Sequence, residues 1–82
     1  MSKVIELMPK DGHKSFYGKA RVIVDDDGTE TLISYSTAVV KRYPSGNLVR
    51  LWNGWSATTG RHIASFCGLN KKGYSELPKA WN

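Results

Sequence analysis

The sequence predicts a small α+β domain, in which an antiparallel meander of three or four strands is covered on one face by one short helix. Stretches rich in β-branched and aromatic residues recur along the first two-thirds of the chain, and sharp turn signals separate them. A single apolar helical stripe follows the last of these stretches. The 82 residues leave room for one domain with one small core.

The first part of the predicted sheet is a strand over residues 16–24, preceded by a short strand within residues 3–8. Apolar and basic positions alternate along residues 16–24, so one face is expected to look inward and the other to be basic. The inward positions are Ala20, Val22 and Val24, and the basic ones are Lys19 and Arg21. Residues 25–28 then predict a turn of the Asp-Gly kind, whose carboxylates lack the spacing of a calcium loop.

The middle of the chain predicts the remaining strands. Residues 31–43 are dense in β-branched and aromatic side chains and indicate one long strand. The alternation slips at residues 38–40, which predicts a bulge or a bend. Pro44 and Gly46 predict a tight turn, and residues 48–52 form the next predicted strand.

The helix prediction rests on Ile63, Phe66 and Cys67, which are spaced i, i+3, i+4. Gly68 can end a helix in the left-handed conformation, so we expect a helix over residues 59–67. Three good N-cap types precede or begin it, namely Ser56, Thr58 and Thr59. Such a short helix is marginal alone and must dock on the sheet to persist.

The chain is expected to be a single domain over residues 1–82. Residues 1–15 are predicted to be a loosely ordered start, residues 16–68 the core, and residues 69–82 an irregular C-terminal tail. The side chains expected to pin that tail are Tyr74, Leu77 and Trp81.

The composition narrows the classes of function. The net charge of +5 favours an acidic partner, such as nucleic acid or an acidic protein surface. Cys67 is the single cysteine, which excludes an intrachain disulfide and fits a reducing cytoplasm. The N-terminal stretch does not resemble a secretory signal, and no apolar run approaches the ~20 residues of a membrane span. We therefore expect a cytoplasmic protein that does not bind a membrane.

No group of residues predicts catalysis, a metal site or a cofactor. His62 and Cys67 lie five positions apart on the predicted helix, so they face different directions. Cys67 lies on the apolar stripe and is expected to be a small core residue. A pairing with His13 is conceivable, but nothing in the pattern supports it. The carboxylates cluster in one turn, and metal ligands at paired spacing are missing, so a non-enzymatic protein is expected.

Two groups of residues are predicted to contact a partner. At the helix start these are Trp55, Arg61 and His62, because tryptophan and arginine dominate binding hot spots and helix N-termini attract anions. His62 is expected to point away from the apolar stripe; the alternative is a locally hydrogen-bonded histidine. The second group comprises the sheet cations Lys19, Arg21, Arg42 and Arg50. Tyrosines interleave with these cations, so a basic sheet face could instead stack bases and follow phosphates.

Two sequence motifs lie between residues 34 and 66: Ser34-Tyr-Ser-Thr-Ala-Val39 and Leu51-Trp-Asn-Gly-Trp-Ser-Ala-Thr-Thr-Gly-Arg-His-Ile-Ala-Ser-Phe66. With them the chain resembles, over about residues 16–68, a family of short uncharacterised proteins of bacteria, phages and mobile elements. The resemblance implies no activity, only a context in which short proteins bind and block a host machine. We expect an inhibitor of a host defence complex, of the anti-CRISPR kind, that acts by protein–protein contact. Nucleic-acid binding is the alternative.

Overall fold

A computed structural model of the protein describes residues 2–8, 16 and 18–81. The strands are β1 (Lys3–Glu6), β2 (Ala20–Val24), β3 (Glu30–Ser34), β4 (Thr37–Arg42) and β5 (Leu48–Arg50). The helices are α1 (Ala57–Cys67) and α2 (Lys71–Ser75). The strands form one antiparallel sheet in the order β1-β2-β3-β4-β5. The α+β class and the antiparallel meander are confirmed, but the sheet has five strands rather than three or four, and two helices follow it rather than one.

The predicted single strand over residues 31–43 is wrong, because the chain reverses at Tyr35 and Ser36 to form the β3–β4 hairpin. Tyr35 has φ 59°, in the left-handed region that bulky residues rarely adopt. Two hydrogen bonds hold it there: its N–H donates to the Lys19 carbonyl (2.6 Å), and the Arg21 guanidinium donates to its carbonyl (2.9 Å). The turn contains no Gly, Asn or Pro, so the sequence pattern does not reveal it.

The predicted slip in this stretch is confirmed as a β-bulge in β4. Ile33 pairs with Ala38, whereas Leu32 pairs with Val40, so Val39 is the extra residue. The bulge lets two consecutive valines, Val39 and Val40, both become fully buried.

The pattern predicted for the second strand is also confirmed. Ala20 and Val22 are buried, and Arg21 between them is exposed. The turns predicted at residues 25–28 and 44–47 are both present and are closed by backbone hydrogen bonds. The turns therefore separate β2 from β3 and β4 from β5 as expected.

Helix α1 begins two residues before the predicted start, because Ser56 caps it rather than Thr58 or Thr59. The Ser56 backbone is extended, and its hydroxyl accepts a hydrogen bond from the Thr59 N–H (3.1 Å). At the other end Gly68 has φ 77°, and its N–H donates to the Ala64 carbonyl, as predicted.

Residues 69–82 are not an irregular tail as predicted. They contain α2, whose Tyr74 is fully buried, and a segment that pairs with the edge of β5. The Arg50 N–H donates to the Pro78 carbonyl (2.8 Å), and the Ala80 N–H donates to the Arg50 carbonyl (2.9 Å). Five residues with a central glycine carry no helical stripe, which is why the sequence pattern misses α2.

The two faces of the sheet differ. One face packs against α1 and α2 and holds the core, which consists of Val22, Leu32, Val39, Val40, Ile63, Phe66 and Tyr74. The opposite face, here called the outer face, is not covered by a helix of the described residues. Its residues follow from the strand register, and they include Val4, Arg21, Ile23, Ile33, Lys41 and Val49.

Candidate partner-binding surface

The seven residues predicted to contact a partner do not form one surface. Arg42 and Arg50 lie on the helix-covered face of the sheet, because Arg50 pairs with the buried Val40 and Arg42 follows Val40 by two positions. Arg21 lies on the outer face. The sheet cations therefore divide between the two faces instead of forming the single basic face that was expected.

Arg50 supports the fold. Only 9% of its surface is exposed, and its guanidinium lies 4.7 Å from the centre of the Tyr74 ring. Its Nε donates to the carbonyl of Trp52 (2.9 Å). The side chain therefore ties β5 to the segment before α1 and to α2.

Arg42 also supports the fold. Its Nε lies 2.9 Å from the Glu30 carboxylate, and its guanidinium lies 4.3 Å from the centre of the Phe66 ring. It also donates to the Phe66 carbonyl (3.1 Å), one of the last carbonyls of α1. A cation at the C-terminal end of a helix donates to a carbonyl that has no partner within the helix. Its charge also interacts favourably with the negative end of the helix dipole.

His62 lies in the core, and its expected orientation away from the apolar stripe is wrong. It is 1% exposed, and its Nδ1 lies 2.8 Å from the Ser34 hydroxyl, which in turn lies 2.9 Å from the Thr59 hydroxyl. The Phe16 ring packs edge-on against the imidazole, with ring centres 4.4 Å apart. The β3–β4 turn, invisible in the sequence pattern, covers this flank of α1 and so buries the histidine.

The surroundings of His62 keep its imidazole neutral. Burial is the main cause that lowers the pKa of His62, and the positive charges of Arg61 and Lys19 lower it further. His62 therefore supplies a neutral hydrogen-bonding ring inside the fold, while Lys19 and Arg61 place two cations near the same flank.

Trp55 is mostly buried and packs against α1. Its ring lies so close to Gly60 that a Cβ at that position would overlap the ring. The ring centre also lies 5.8 Å from that of Tyr74. The helix therefore packs closely against Trp55 at Gly60, while Trp55 remains partly exposed.

The three remaining predicted residues, Lys19, Arg21 and Arg61, are exposed. Lys19 and Arg21 contact the Tyr35 turn, and the charge of Arg61 lies near His62, whose ring adjoins that of Tyr35. Tyr35 is 48% exposed, and the Lys19 Nζ lies 5.9 Å from the centre of its ring. Arg21 donates to the Tyr35 carbonyl, and the Tyr35 ring lies 5.9 Å from that of His62, the neighbour of Arg61. We call Lys19, Arg21, Tyr35 and Arg61 the Tyr35 patch. The sequence pattern does not predict the position of Tyr35 at a turn, because its left-handed backbone leaves no mark in the sequence.

A groove on the outer face adjoins the Tyr35 patch. It has a volume of about 230 Å³ and is lined by Val4, Arg21, Ile23, Ile33 and Ser36. Arg21 belongs to both the groove and the patch, and Ser36 is the second residue of the Tyr35 turn. We call this the outer groove. An apolar floor thus lies directly beside a basic and aromatic rim.

In the part of the chain that the structure describes, no three His, Cys, Asp or Glu side chains are grouped so that they could hold a metal ion. Cys67 packs against the core, and its thiol donates to the Ile63 carbonyl (3.4 Å). His13, the other histidine, lies outside the described residues.

Fold and surface together define a small α+β protein whose antiparallel sheet has one helix-covered face and one face that no described helix covers, next to a basic aromatic patch. The chain belongs to a family of unknown function, DUF8033, whose sequence model matches residues 5–81. This agrees with the expected membership of an uncharacterised family. No curated protein and no solved structure matches the chain. Neither of the helices in residues 2–8, 16 and 18–81 has the length and apolar character to cross a membrane.

Proposed function

We propose that this protein is a non-enzymatic binding protein that docks onto an acidic surface of a host protein through the Tyr35 patch and the outer groove. The observation that carries the proposal is Tyr35 itself: an exposed aromatic ring, held in a left-handed conformation beside exposed cations and an apolar groove. The host is a bacterium, the site of action is its cytoplasm, and the protein is of phage or mobile-element type.

The strained backbone at Tyr35 supports a functional role. A non-glycine residue in this region costs on the order of 1–3 kcal/mol and persists only where its surroundings impose it. Here the imposing contacts come from Lys19 and Arg21, which are themselves members of the patch. The same hydrogen bonds that hold the turn therefore also preorganise the exposed ring and the Arg21 guanidinium for contact.

The outer groove favours a protein partner. Protein interfaces have an apolar centre and a polar rim, with tyrosine and arginine enriched. Val4, Ile23 and Ile33 supply such a centre, and Arg21 supplies the rim. The net charge of +5 favours an acidic partner and raises the rate of association with it.

The anti-defence role is a proposal that rests on the motif resemblance and on this surface. A small basic protein that covers an acidic site of a defence complex, or the place where that complex holds nucleic acid, would block it without any reaction. The protein would then inhibit the defence complex by covering a surface that the complex needs.

The test is quantitative capture of host proteins from a bacterial lysate with matched variants. Arg21→Glu and Arg61→Glu reverse charges in the Tyr35 patch, and Lys72→Glu makes the same change at an exposed position of α2. Tyr35→Asn removes the ring but keeps a residue that tolerates positive φ. A host protein retained by the wild type and by Lys72→Glu, and lost with the three patch variants, is the expected result. Equal retention by all variants, or no retained protein, would refute the proposal.

Nucleic-acid binding is a second candidate, because the exposed Tyr35 ring beside Lys19 and Arg21 could stack a base and neutralise phosphates. The probes are single-stranded oligothymidylate longer than about 16 nucleotides and a duplex of equal length. Three cations in contact with phosphates predict a slope of roughly −2 to −3 in log K against log salt, and Arg21→Ala should reduce it by about one. No retention of either probe at low salt eliminates this candidate.

A further inference from the structure

Among the residues that the structure describes, none pairs with the outer backbone edge of strand β1, which lies beside the outer groove. It is the first strand of the sheet, it pairs only with β2 among the described strands, and all four of its residues are exposed. The Leu7 N–H donates to the Ala20 carbonyl (2.9 Å), and alternate residues of an antiparallel strand direct their backbone groups to opposite sides. Val4 and Glu6 therefore direct their N–H and C=O groups away from β2, towards the open edge.

The opposite edge of the sheet, formed by β5, is covered by another segment of the chain. There, Arg50 of β5 exchanges hydrogen bonds with Pro78 and Ala80 of the C-terminal segment (2.8 and 2.9 Å). Covering a strand edge is the usual protection against unwanted pairing. The described chain protects β5 in this way and leaves β1 open, which marks β1 as the edge that can accept another strand.

The side chains at this edge specify what kind of strand fits. Val4 is 61% exposed and also lines the outer groove, and Ile5 is 50% exposed. A strand added next to β1 would place every second side chain on the outer face beside this groove. Apolar side chains at those positions would be removed from water together with Val4.

The charges near β1 favour an acidic occupant. Lys3 lies in β1, Arg21 lies opposite Glu6 in β2, and Lys19 lies just before β2. Among the described residues near this edge, these three cations outnumber two carboxylates, those of Glu6 and of Asp25, which accepts a hydrogen bond from the Ser2 hydroxyl (3.1 Å). A second copy of this chain would bring two basic edges together, whereas an acidic segment would be attracted.

We propose that the β1 edge takes up an extended acidic segment of the partner protein as a sixth strand, with apolar residues beside the outer groove and the alternate carboxylates on the opposite side, towards Lys3. The nearby charges of Lys19 and Arg21 add to the attraction of the acidic segment. This inference rests on the proposed function and specifies the partner's chemistry: valine-like residues alternate with Asp or Glu. Affinity comes from backbone hydrogen bonds, and selectivity comes from the groove and the cations.

The test uses a capped synthetic peptide of about ten alternating Glu and Val residues, a length typical of a long strand. A Lys-Val peptide of the same length is the charge-reversed control. Val4→Pro removes the outward N–H and leaves the bonds to β2 intact, because the Val4 backbone groups point away from β2. Val4→Thr is the matched control, since it keeps both backbone groups and a β-branched side chain.

The expected result is that the Glu-Val peptide binds, the Lys-Val peptide does not, and the amides of Val4 and Glu6 become protected from hydrogen exchange. Loss of backbone hydrogen bonds in Val4→Pro should weaken binding about tenfold, and Val4→Thr should weaken it less than about threefold. Glu6→Lys should strengthen binding, because it replaces the carboxylate within β1 by a cation. The exchange measurement on the wild type stands even if Val4→Pro fails to fold.

Three results would overturn the inference: no binding of the Glu-Val peptide, binding without protection of Val4 and Glu6, or equal weakening by Val4→Pro and Val4→Thr. A dimer in sedimentation that disappears in Val4→Pro would also overturn it, because a second copy would then hold the edge. If a captured host protein is lost with Arg21→Glu but kept with Val4→Pro, the edge inference fails and the proposed function stands. If the peptide protects both amides but no host protein is captured, the edge holds and the proposed function fails.

Discussion

Replacing Gly60 by alanine near the start of α1 has two effects of opposite sign on the free energy of unfolding. Alanine is a better helix former than glycine, and in a helix this exchange alone adds about 1 kcal/mol to stability. Gly60 has no unusual backbone angle that would forbid alanine. The new Cβ, however, would overlap the Trp55 ring that lies against this glycine, so the ring must move.

The loss of tryptophan packing outweighs the helix gain. A tryptophan buries about 150–250 Å², which at about 25 cal/mol per Å² is worth roughly 4–6 kcal/mol when burial is complete. Trp55 is mostly buried, and a shift of its ring would expose only part of this area, so ~2–3 kcal/mol is at risk. After subtraction of the helix gain, Gly60→Ala should lower the free energy of unfolding by about 1–2 kcal/mol and the Tm by roughly 5–15 °C.

The assay is thermal and urea unfolding followed by circular dichroism, arranged as a double-mutant cycle with Trp55→Ala. In the Trp55→Ala background the overlap is gone, so Gly60→Ala should stabilise the protein by up to about 1 kcal/mol. Ala64→Gly, at an exposed position of α1, measures the helix preference alone. A Tm that rises in Gly60→Ala with Trp55 intact would refute the reasoning, as would the same sign of effect in both backgrounds.

Two further predictions concern buried polar groups. The Tyr74 hydroxyl lies 2.6 Å from the Val39 carbonyl, to which it donates, and 3.0 Å from the Trp52 carbonyl. Tyr74→Phe removes this donor, but the Val39 carbonyl still accepts from the Leu51 N–H and the Trp52 carbonyl from the Arg50 Nε. The free energy of unfolding in urea titrations should therefore fall by about 0.5–1.5 kcal/mol, the net value of one hydrogen bond. An unchanged unfolding midpoint would contradict that role. Burial lowers the pKa of His62 below its ordinary value of 6.5. As the pH falls, the imidazole is therefore protonated in the unfolded chain before it is protonated in the folded protein. The contribution of His62 to stability is present above pH 6.5 and is lost as the pH falls through its folded pKa. The Tm of the wild type should therefore decrease as the pH is lowered through that window, and the Tm of His62→Gln should decrease less. Identical Tm profiles of the two proteins would exclude His62 as the cause.

The sequence identified some members of the candidate surface and could not separate them from residues that serve the fold. Lys19, Arg21 and Arg61 were predicted from charge, and the structure leaves them exposed. Arg42 and Arg50 carry the same charge, yet aromatic rings and carbonyls occupy their guanidinium groups. Side-chain type does not tell whether an arginine in a strand faces water or a ring, because that depends on the register of its neighbours.

Tyr35 is a member of the candidate surface whose position the sequence pattern could not predict. Its ring was recognised in the sequence only as one of several interleaved aromatics, within a stretch that was expected to be a single strand. The hairpin at Tyr35 exists because contacts from Lys19 and Arg21, 14 or more positions earlier, hold its backbone at positive φ. Such contacts are long-range, and no local pattern encodes them.

By itself the sequence determined the α+β class, the alternation of β2, the turns at residues 25–28 and 44–47, the bulge in β4 and the Gly68 end of α1. These features depend on neighbouring residues, whose propensities and periodicity act over a few positions. Only the tertiary structure decided the β3–β4 turn, the burial of His62, the inward placement of Arg42 and Arg50, and the covered edge at β5. Each of these depends on segments that are distant in the chain and meet only when the sheet closes over the helices, so their energies exist only in the assembled fold.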